Sequence, residues 1–293
     1  MSARNNVGRR GWLAAGAALL AAGCAPAALL NRASPDIPRE KGLAYGPLPR
    51  HRLDLYRPLA PRPGAPLVVF FYGGNWTDGE RAMYRFVAAS LAEAGCFVAI
   101  PDYRLFPGVR FPAFLEDSAL ATGWACDRRA QLGAGGVWLL GHSAGAYNVA
   151  MLALQPRWLQ AVGRNPRRDL AGAIGLAGPY DFLPLRDEEL EAIFAPDPAV
   201  GQPINHVAGD NPPMLLLQGL ADETVRPRNA ESLAARIAAA GGPVEMRLYP
   251  QIGHAAILGA LAGPLRFLAP VRRDVLAFMG LGSGGLGAPP AEG

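Results

Sequence analysis

An α/β architecture, with a mainly parallel central sheet, helices on both faces and a short lid-like excursion, is the fold class this sequence predicts. Three observations carry the prediction. From Arg50 onward, short apolar runs alternate with longer amphipathic ones, which is the pattern of strands joined by crossover helices. The run Val137, Trp138, Leu139, Leu140 is continuously apolar, as a strand buried on both faces must be. The chain has 293 residues, 51% of them hydrophobic, which is enough for one large core without requiring two domains.

Taken in order, strands are expected at 51–56, 67–72, 97–101, 137–140, 171–176, 214–218 and 245–249. Helices with apolar residues at three-to-four spacing are expected at 84–94, 112–130, 144–154, 228–240 and 271–279, with Gly95 and Gly241 as stops. The stretch 179–213 breaks the alternation with scattered Pro, Gly and acids around a helical patch at 187–194, and reads as an excursion over the strand ends. No internal repeat is visible. The expected organisation is a signal at 1–24, a linker at 25–44, a folded domain at 45–279 and a disordered Gly/Pro-rich tail at 280–293.

The formal charge of +4 owes three units to Arg4, Arg9 and Arg10, so the rest of the chain is near neutral. No basic stripe remains to neutralise phosphates, which argues against a nucleic-acid partner. These arginines precede an apolar stretch, GWLAAGAALLAAG, that ends at Cys24. Basic residues, an apolar run and small residues before a cysteine resemble a bacterial lipoprotein signal, with Ala21 where Leu is more usual. Arg9-Arg10 also resembles a twin-arginine export signal, and an uncleaved anchor or an ordinary cleaved signal are the alternatives. Each places the folded domain outside the cytoplasm, held to a membrane through Cys24 in the first case. If Cys24 carries lipid, Cys96 and Cys126 are left either to pair or to stand as buried free thiols. No CxxC pair or His/Cys cluster suggests a metal site.

The most informative segment, GVWLLGHSAGAYNVAML, reads as a strand, a five-residue turn and an apolar helix. This is the layout of a nucleophile elbow, in which Ser143 sits on a strained turn and projects Oγ above the sheet. Gly141 and Gly145 suit it because helix and strand approach too closely there for β-carbons. A Gly-X-Ser-X-Gly pentapeptide alone is weak, and a plain turn is its structural alternative.

A serine hydroxyl needs a base, itself oriented by a carboxylate. Four histidines are available. His51 starts the first expected strand, far from the expected site end; His142 lies inside the elbow, directed away from Oγ; His206 falls in the irregular excursion. His254, on the loop after the last strand, is the base by elimination. Asp222 follows the 214–218 strand and is the candidate acid, with Asp181, Glu223 and Asp210 as rivals. The order Ser143, Asp222, His254 is the one that places the acid between serine and histidine. Gly73-Gly74, after the 67–72 strand, allow a turn with exposed backbone N–H groups. The N–H groups of Gly74, Asn75 and Ala144 are then the candidate oxyanion hole.

On these residues the chain resembles the α/β-hydrolase superfamily of esterases and lipases, in particular its feruloyl-esterase-like and arylformamidase-like branch. The resemblance runs over roughly 43–279 and rests on YGGNW, PDYRLFPGVRFPAFLEDS, GHSAG, GPYDF, QGLADETVRP and GHAAI, in that order. It implies an α/β-hydrolase fold and acyl transfer to water through Ser143, His254 and Asp222, without a cofactor, on a small-molecule ester. The family carries histidine where this chain has Tyr72, and Asp102 and Tyr103 match a motif that braces the oxyanion loop. Trp76, Tyr147, Tyr180, Phe182 and Phe194 are candidates for an acyl or aryl pocket, with the core as a competing claimant. An amidase or formamidase is the alternative within enzymes, and a non-catalytic hydrolase-fold binding protein the alternative outside them. Oligomeric state is not indicated.

Overall fold

The computed structural model describes residues 27–281 of the chain. The expected signal with Cys24, and the tail from residue 282 onward, lie outside them. Eight strands form one sheet in the order β1-β2-β4-β3-β5-β6-β7-β8. They are β1 (Arg39–Ala44), β2 (Arg52–Tyr56), β3 (Ala65–Phe71), β4 (Phe97–Pro101), β5 (Ala134–His142), β6 (Leu170–Leu176), β7 (Met214–Gly219) and β8 (Val244–Tyr249). β1 and β2 run antiparallel to their neighbours, and every pairing from β4 to β8 is parallel. β3, β4 and β7 are buried at every residue, which is why they read as unbroken apolar runs in the sequence.

The helices are α1 (residues 27–33), α2 (Arg85–Ala92), α3 (Ala113–Arg128), α4 (Ala144–Leu154), α5 (Arg157–Gln160), α6 (Pro166–Asp169), α7 (Glu188–Phe194), α8 (Arg228–Ala239), α9 (His254–Gly259) and α10 (Val271–Phe278). α4 is buried at all its positions, behind the elbow and against the sheet. All seven expected strands and all five expected helices form, with ends shifted by a few residues.

Two expectations need correction. Residues 25–44 are not merely a linker, because β1 is the edge strand of the sheet, with Arg39 paired to Tyr56 and a register shift between Glu40 and Leu43. An edge strand has one neighbour and tolerates charge and glycine, so REKGLA carries no apolar signature. α1 is also fixed: Asn31 accepts from the N–H of Phe86 at 2.9 Å and donates to the carbonyls of Ala82 and Met83, both at 3.1 Å. Second, His51 is not at the opposite end of the sheet. β2 runs antiparallel to β4, with Leu53 opposite Pro101, so its beginning lies beside the carboxyl ends of the parallel strands. His51 is nevertheless committed elsewhere, with Nε2 2.9 Å from Asp117 and Nδ1 accepting from the N–H of Leu48.

The excursion at 179–213 is packed down. Asp187 caps α7 through the N–H groups of Glu189 and Leu190, each at 3.0 Å, and Ile193 and Phe194 are fully buried. Cys96 and Cys126 are both free, and burial pushes their thiols up to about 12 and about 11, away from reactive thiolate character.

Candidate active site

β5 ends at His142, and Ser143 follows with φ 54° and ψ −123°, a conformation that costs a non-glycine residue about 1–3 kcal/mol. Surrounding contacts hold it there. The N–H of Ser143 donates to Leu176 of β6 at 2.9 Å, and its carbonyl accepts from Tyr147 in the first turn of α4. A β-carbon on Gly145 would collide with the carbonyls of Phe71 and Tyr72, and one on Gly141 with the backbone of Gly145. One on Gly73 would stand 2.9 Å from Cβ of Ser143. The three glycines let β3, the elbow and the following loop converge, as the sequence predicts for Gly141 and Gly145.

His254 Nε2 lies 2.9 Å from Ser143 Oγ, and its Nδ1 lies 2.8 Å from Asp222 Oδ2. The three residues come from the loops after β5, β8 and β7, all at the carboxyl edge of the sheet. Asp222 Oδ1 accepts from the N–H groups of Thr224 (2.9 Å) and Val225 (2.8 Å), and Oδ2 also accepts from Gln218 Nε2 (3.1 Å). Burial pushes the Asp222 carboxyl up, but the hydrogen bond and charge of His254, with those from Val225 and Gln218, outweigh it and hold the group below the usual carboxylate range. Asp181 lies 3.6 Å from the Arg228 guanidinium, and among the described residues the Asp222 carboxylate alone bonds to His254.

His142, expected to be directed away from Ser143 Oγ, has a partner that sequence reasoning missed. Its Nε2 lies 3.0 Å from the backbone carbonyl of His254, and the two rings stand 4.8 Å apart. Burial, reinforced by the neighbouring His254, pushes His142 down to about 3, so it is neutral and Nε2–H donates to that carbonyl. The elbow thus straps down the start of α9, which carries His254. Gln218 is a second omission, since a buried glutamine at a strand end gives no local signal of what it supports.

The loop after β3 is braced as the resemblance implies. Asp102 Oδ1 accepts from the Tyr72 hydroxyl (3.0 Å) and the N–H of Arg81 (2.7 Å), and Oδ2 pairs with the Arg81 guanidinium. Tyr103 donates its hydroxyl to the Tyr72 carbonyl at 2.8 Å, and the two rings stack at 4.8 Å. Arg50 Nη2 donates to the Tyr72 hydroxyl (3.1 Å) and to the Gly79 carbonyl (2.9 Å). The phenol therefore fills the place of the expected histidine with a complete set of partners. Gly74 (φ 122°), Asn75 (φ 54°) and Trp76 (φ 60°) turn the chain tightly, with the Gly74 carbonyl accepting from Thr77 and Asp78, each at 2.9 Å. Among the described residues nothing accepts from the N–H groups of Gly74 or Asn75, while Ala144 opens α4 with its N–H ahead of the helical ladder. Trp76 Nε1 ties this loop to Asn148 of α4 at 3.2 Å.

Of the expected pocket residues, Trp76, Tyr147, Tyr180 and Phe194 are claimed by the core, each at most 2% exposed. They fill an aromatic layer in which Trp76 meets Tyr147 edge-on at 5.1 Å and Phe194 at 5.0 Å. Phe182 packs on Phe194 at 5.3 Å and retains some exposed surface.

Fold and site together define an α/β-hydrolase. The chain belongs to the BD-FAE family, whose model matches residues 53–237. It is 27% identical over 252 residues to a probable isoprenylcysteine alpha-carbonyl methylesterase of Arabidopsis thaliana, covering 77% of this chain and 52% of that protein. It is 28% identical over 248 residues to esterase LipC of Mycobacterium tuberculosis, covering 75% and 61%. The chain thus spans about half to three fifths of the length of these two relatives. Among solved structures, esterase B of Lactobacillus rhamnosis superposes with a TM-score of 0.77 at 21% identity, over 94% of this chain and 96% of that one. A carbohydrate esterase from gut microbiota gives 0.71 at 19% identity, over 83% and 96%.

Because His142 is neutral when buried, the unfolded chain binds one more proton than the folded one from about 6.5 down to about 3. Its stability contribution is complete above that window and is lost as pH falls through it, by about 1.4 kcal/mol per pH unit. Asp222 starts to lose its own contribution as pH falls through the ordinary carboxylate value, so its window overlaps the lower end of that of His142. Urea unfolding at several pH values should therefore give a shallower acid slope for His142→Asn than for wild type, by about one proton. Equal slopes would show that His142 is charged in the fold.

Proposed function

We propose that this protein is a serine carboxylesterase that cleaves small acyl or aryl esters. The observation that carries the proposal is the hydrogen-bonded line from Ser143 Oγ through His254 to Asp222, at 2.9 and 2.8 Å, on a strained elbow. In this reading, Ser143 Oγ attacks the ester carbonyl carbon as His254 Nε2 takes its proton. Asp222 holds the tautomer with the proton on Nδ1 and stabilises the imidazolium. The tetrahedral oxyanion is received by Ala144 N–H together with Gly74 and Asn75 N–H, each donor worth roughly 3 kcal/mol of barrier. Collapse breaks the bond to the alcohol, which leaves with the proton from His254; water then attacks the acyl-enzyme by the reverse sequence. No cofactor enters these steps.

Preference for small acyl groups is supported by the buried aromatic layer of Trp76, Tyr147 and Phe194 and by the packed-down excursion. A second reading, an arylformamidase, has its own support in a kynurenine formamidase of Danio rerio that is 29% identical over 141 residues, 48% of this chain and 46% of that protein. The same array serves both, because only the leaving group differs. The basic start, apolar run and Cys24 support export and lipid anchoring at the cell envelope.

A fluorophosphonate probe should label the wild-type protein and fail on Ser143→Ala. Turnover should fall roughly a million-fold for Ser143→Ala or His254→Ala, with a smaller loss for Asp222→Ala. Full labelling of the Ser143 variant would remove the mechanism. Across p-nitrophenyl esters, rates should peak at short acyl chains, and N-formylkynurenine assayed in parallel should be the poorer substrate. A peak at long chains, or a faster formamide, reverses the assignment. Mass spectrometry of membrane-extracted protein should find a lipid-modified N-terminus at Cys24, and an N-terminus still at Met1 excludes cleavage.

A further inference from the structure

The two ends of α2 organise one flank of the molecule. At its start, Arg85 and Phe86 hold α1 through Asn31 and Ser34. At its other end, Ser90 and Glu93 hold the segment that leads into α10. Eight residues of helix span about 12 Å, so the two attachments are separated by about that distance along α2.

The segment at the second attachment is unusual on its surface. Phe267 is 80% exposed, the most exposed large apolar side chain among the described residues, and Leu268 beside it is 38% exposed. Around them stand Arg266, Arg272 and Arg273, which with Ala269, Pro270 and Leu276 line an open cleft of about 400 Å³. Arg266 pairs with Glu93 and Arg273 with Asp274. Arg272 donates only to the Ser90 carbonyl and hydroxyl, at 3.1 to 3.2 Å, and has no carboxylate partner among the described residues. Burial first, and then the adjacent Arg266, push Arg272 below its ordinary value against the opposing charge of Glu93. A guanidinium with no carboxylate bonded to it, in an arginine-lined cleft with the exposed Phe267 and Leu268 on the adjoining segment, matches a lipid phosphate with apolar chains beside it.

We propose that this flank docks on an anionic bilayer, with lipid phosphates seated against Arg272 and Arg273 and with Phe267 and Leu268 entering the interface. The inference rests on the Cys24 anchoring reading. Two residues, Ala25 and Pro26, separate Cys24 from the start of α1, a reach of at most about 11 Å, so a lipidated Cys24 holds α1, with Leu29 67% exposed on it, close to the membrane. Charge and exposed apolar surface at the other end of α2 then lie about 12 Å along that helix from the anchored end, within reach of the same layer.

Hydrogen exchange of the full chain, in detergent, in phosphatidylcholine vesicles and in vesicles with added phosphatidylglycerol, tests this. Peptides covering 263–273 should exchange at least fivefold more slowly on the anionic vesicles than in the other two. Phe267→Ser with Arg273→Glu, both at exposed positions, should abolish that protection while vesicle association and probe labelling at Ser143 persist. Association without protection of 263–273 overturns the docking face and leaves the anchor standing. Association with neither vesicle overturns both. Equal protection already present in detergent means that residues 282–293 or a second copy cover the cleft, and overturns the proposal.

Discussion

Three stretches of backbone meet at the carboxyl edge of the sheet more closely than β-carbons would allow, and the rest of the site is arranged around that approach. Gly145 lies against the carbonyls of Phe71 and Tyr72, Gly141 against Gly145, and Gly73 against Cβ of Ser143. A methyl group at any of these positions would push the elbow away from the β3 loop. Because the elbow is fixed by backbone contact, Ser143 keeps an unfavourable φ of 54° without a side-chain brace of its own. The strain is offset by packing: α4, which carries the elbow, is buried along its whole length.

Two polar clusters extend this core outward. Around Asp102, the Tyr72 hydroxyl, the Arg81 N–H and the Arg81 guanidinium converge on one carboxylate, and Tyr103 reaches back to the Tyr72 carbonyl. Around Asp222, two backbone N–H groups, Gln218 and His254 do the same. Buried carboxylates are tolerated only when so satisfied, and the resulting networks hold the loops that contribute N–H groups and imidazole to one point. His142 joins the two halves, standing next to Ser143 in sequence while bonded to the backbone of His254.

Much of this was legible in the chain because it is written in local patterns. Doubly buried strands appear as unbroken apolar runs, which Ser143 and Asp222 follow, while His254 follows the alternating edge strand β8; their order along the chain suggested that they meet. β1 was hidden because an edge strand has no need of apolar alternation, and His51 was misplaced because antiparallel pairing of β2 reverses which end its start occupies. The role of His142 was illegible for a different reason. Its partner is a backbone carbonyl 112 residues away, and carbonyls have no sequence identity. The aromatic residues were recognised as a group, but whether they line a cavity or fill one depends on packing that periodicity does not encode. Burial assigns Trp76, Tyr147, Tyr180 and Phe194 to the interior.

Tyr72 gives the scaffold a property that follows from its burial. Burial raises its hydroxyl well above the ordinary tyrosine value, so this position neither gains nor sheds a proton as the surroundings turn acidic or alkaline. His142, pushed down to about 3, is similarly silent near neutrality. In the folded protein these two groups, which hold the loop and His254 in place, therefore keep one protonation state near neutrality. The cost appears in the folding equilibrium instead, where keeping His142 neutral removes stability as pH falls below about 6.5.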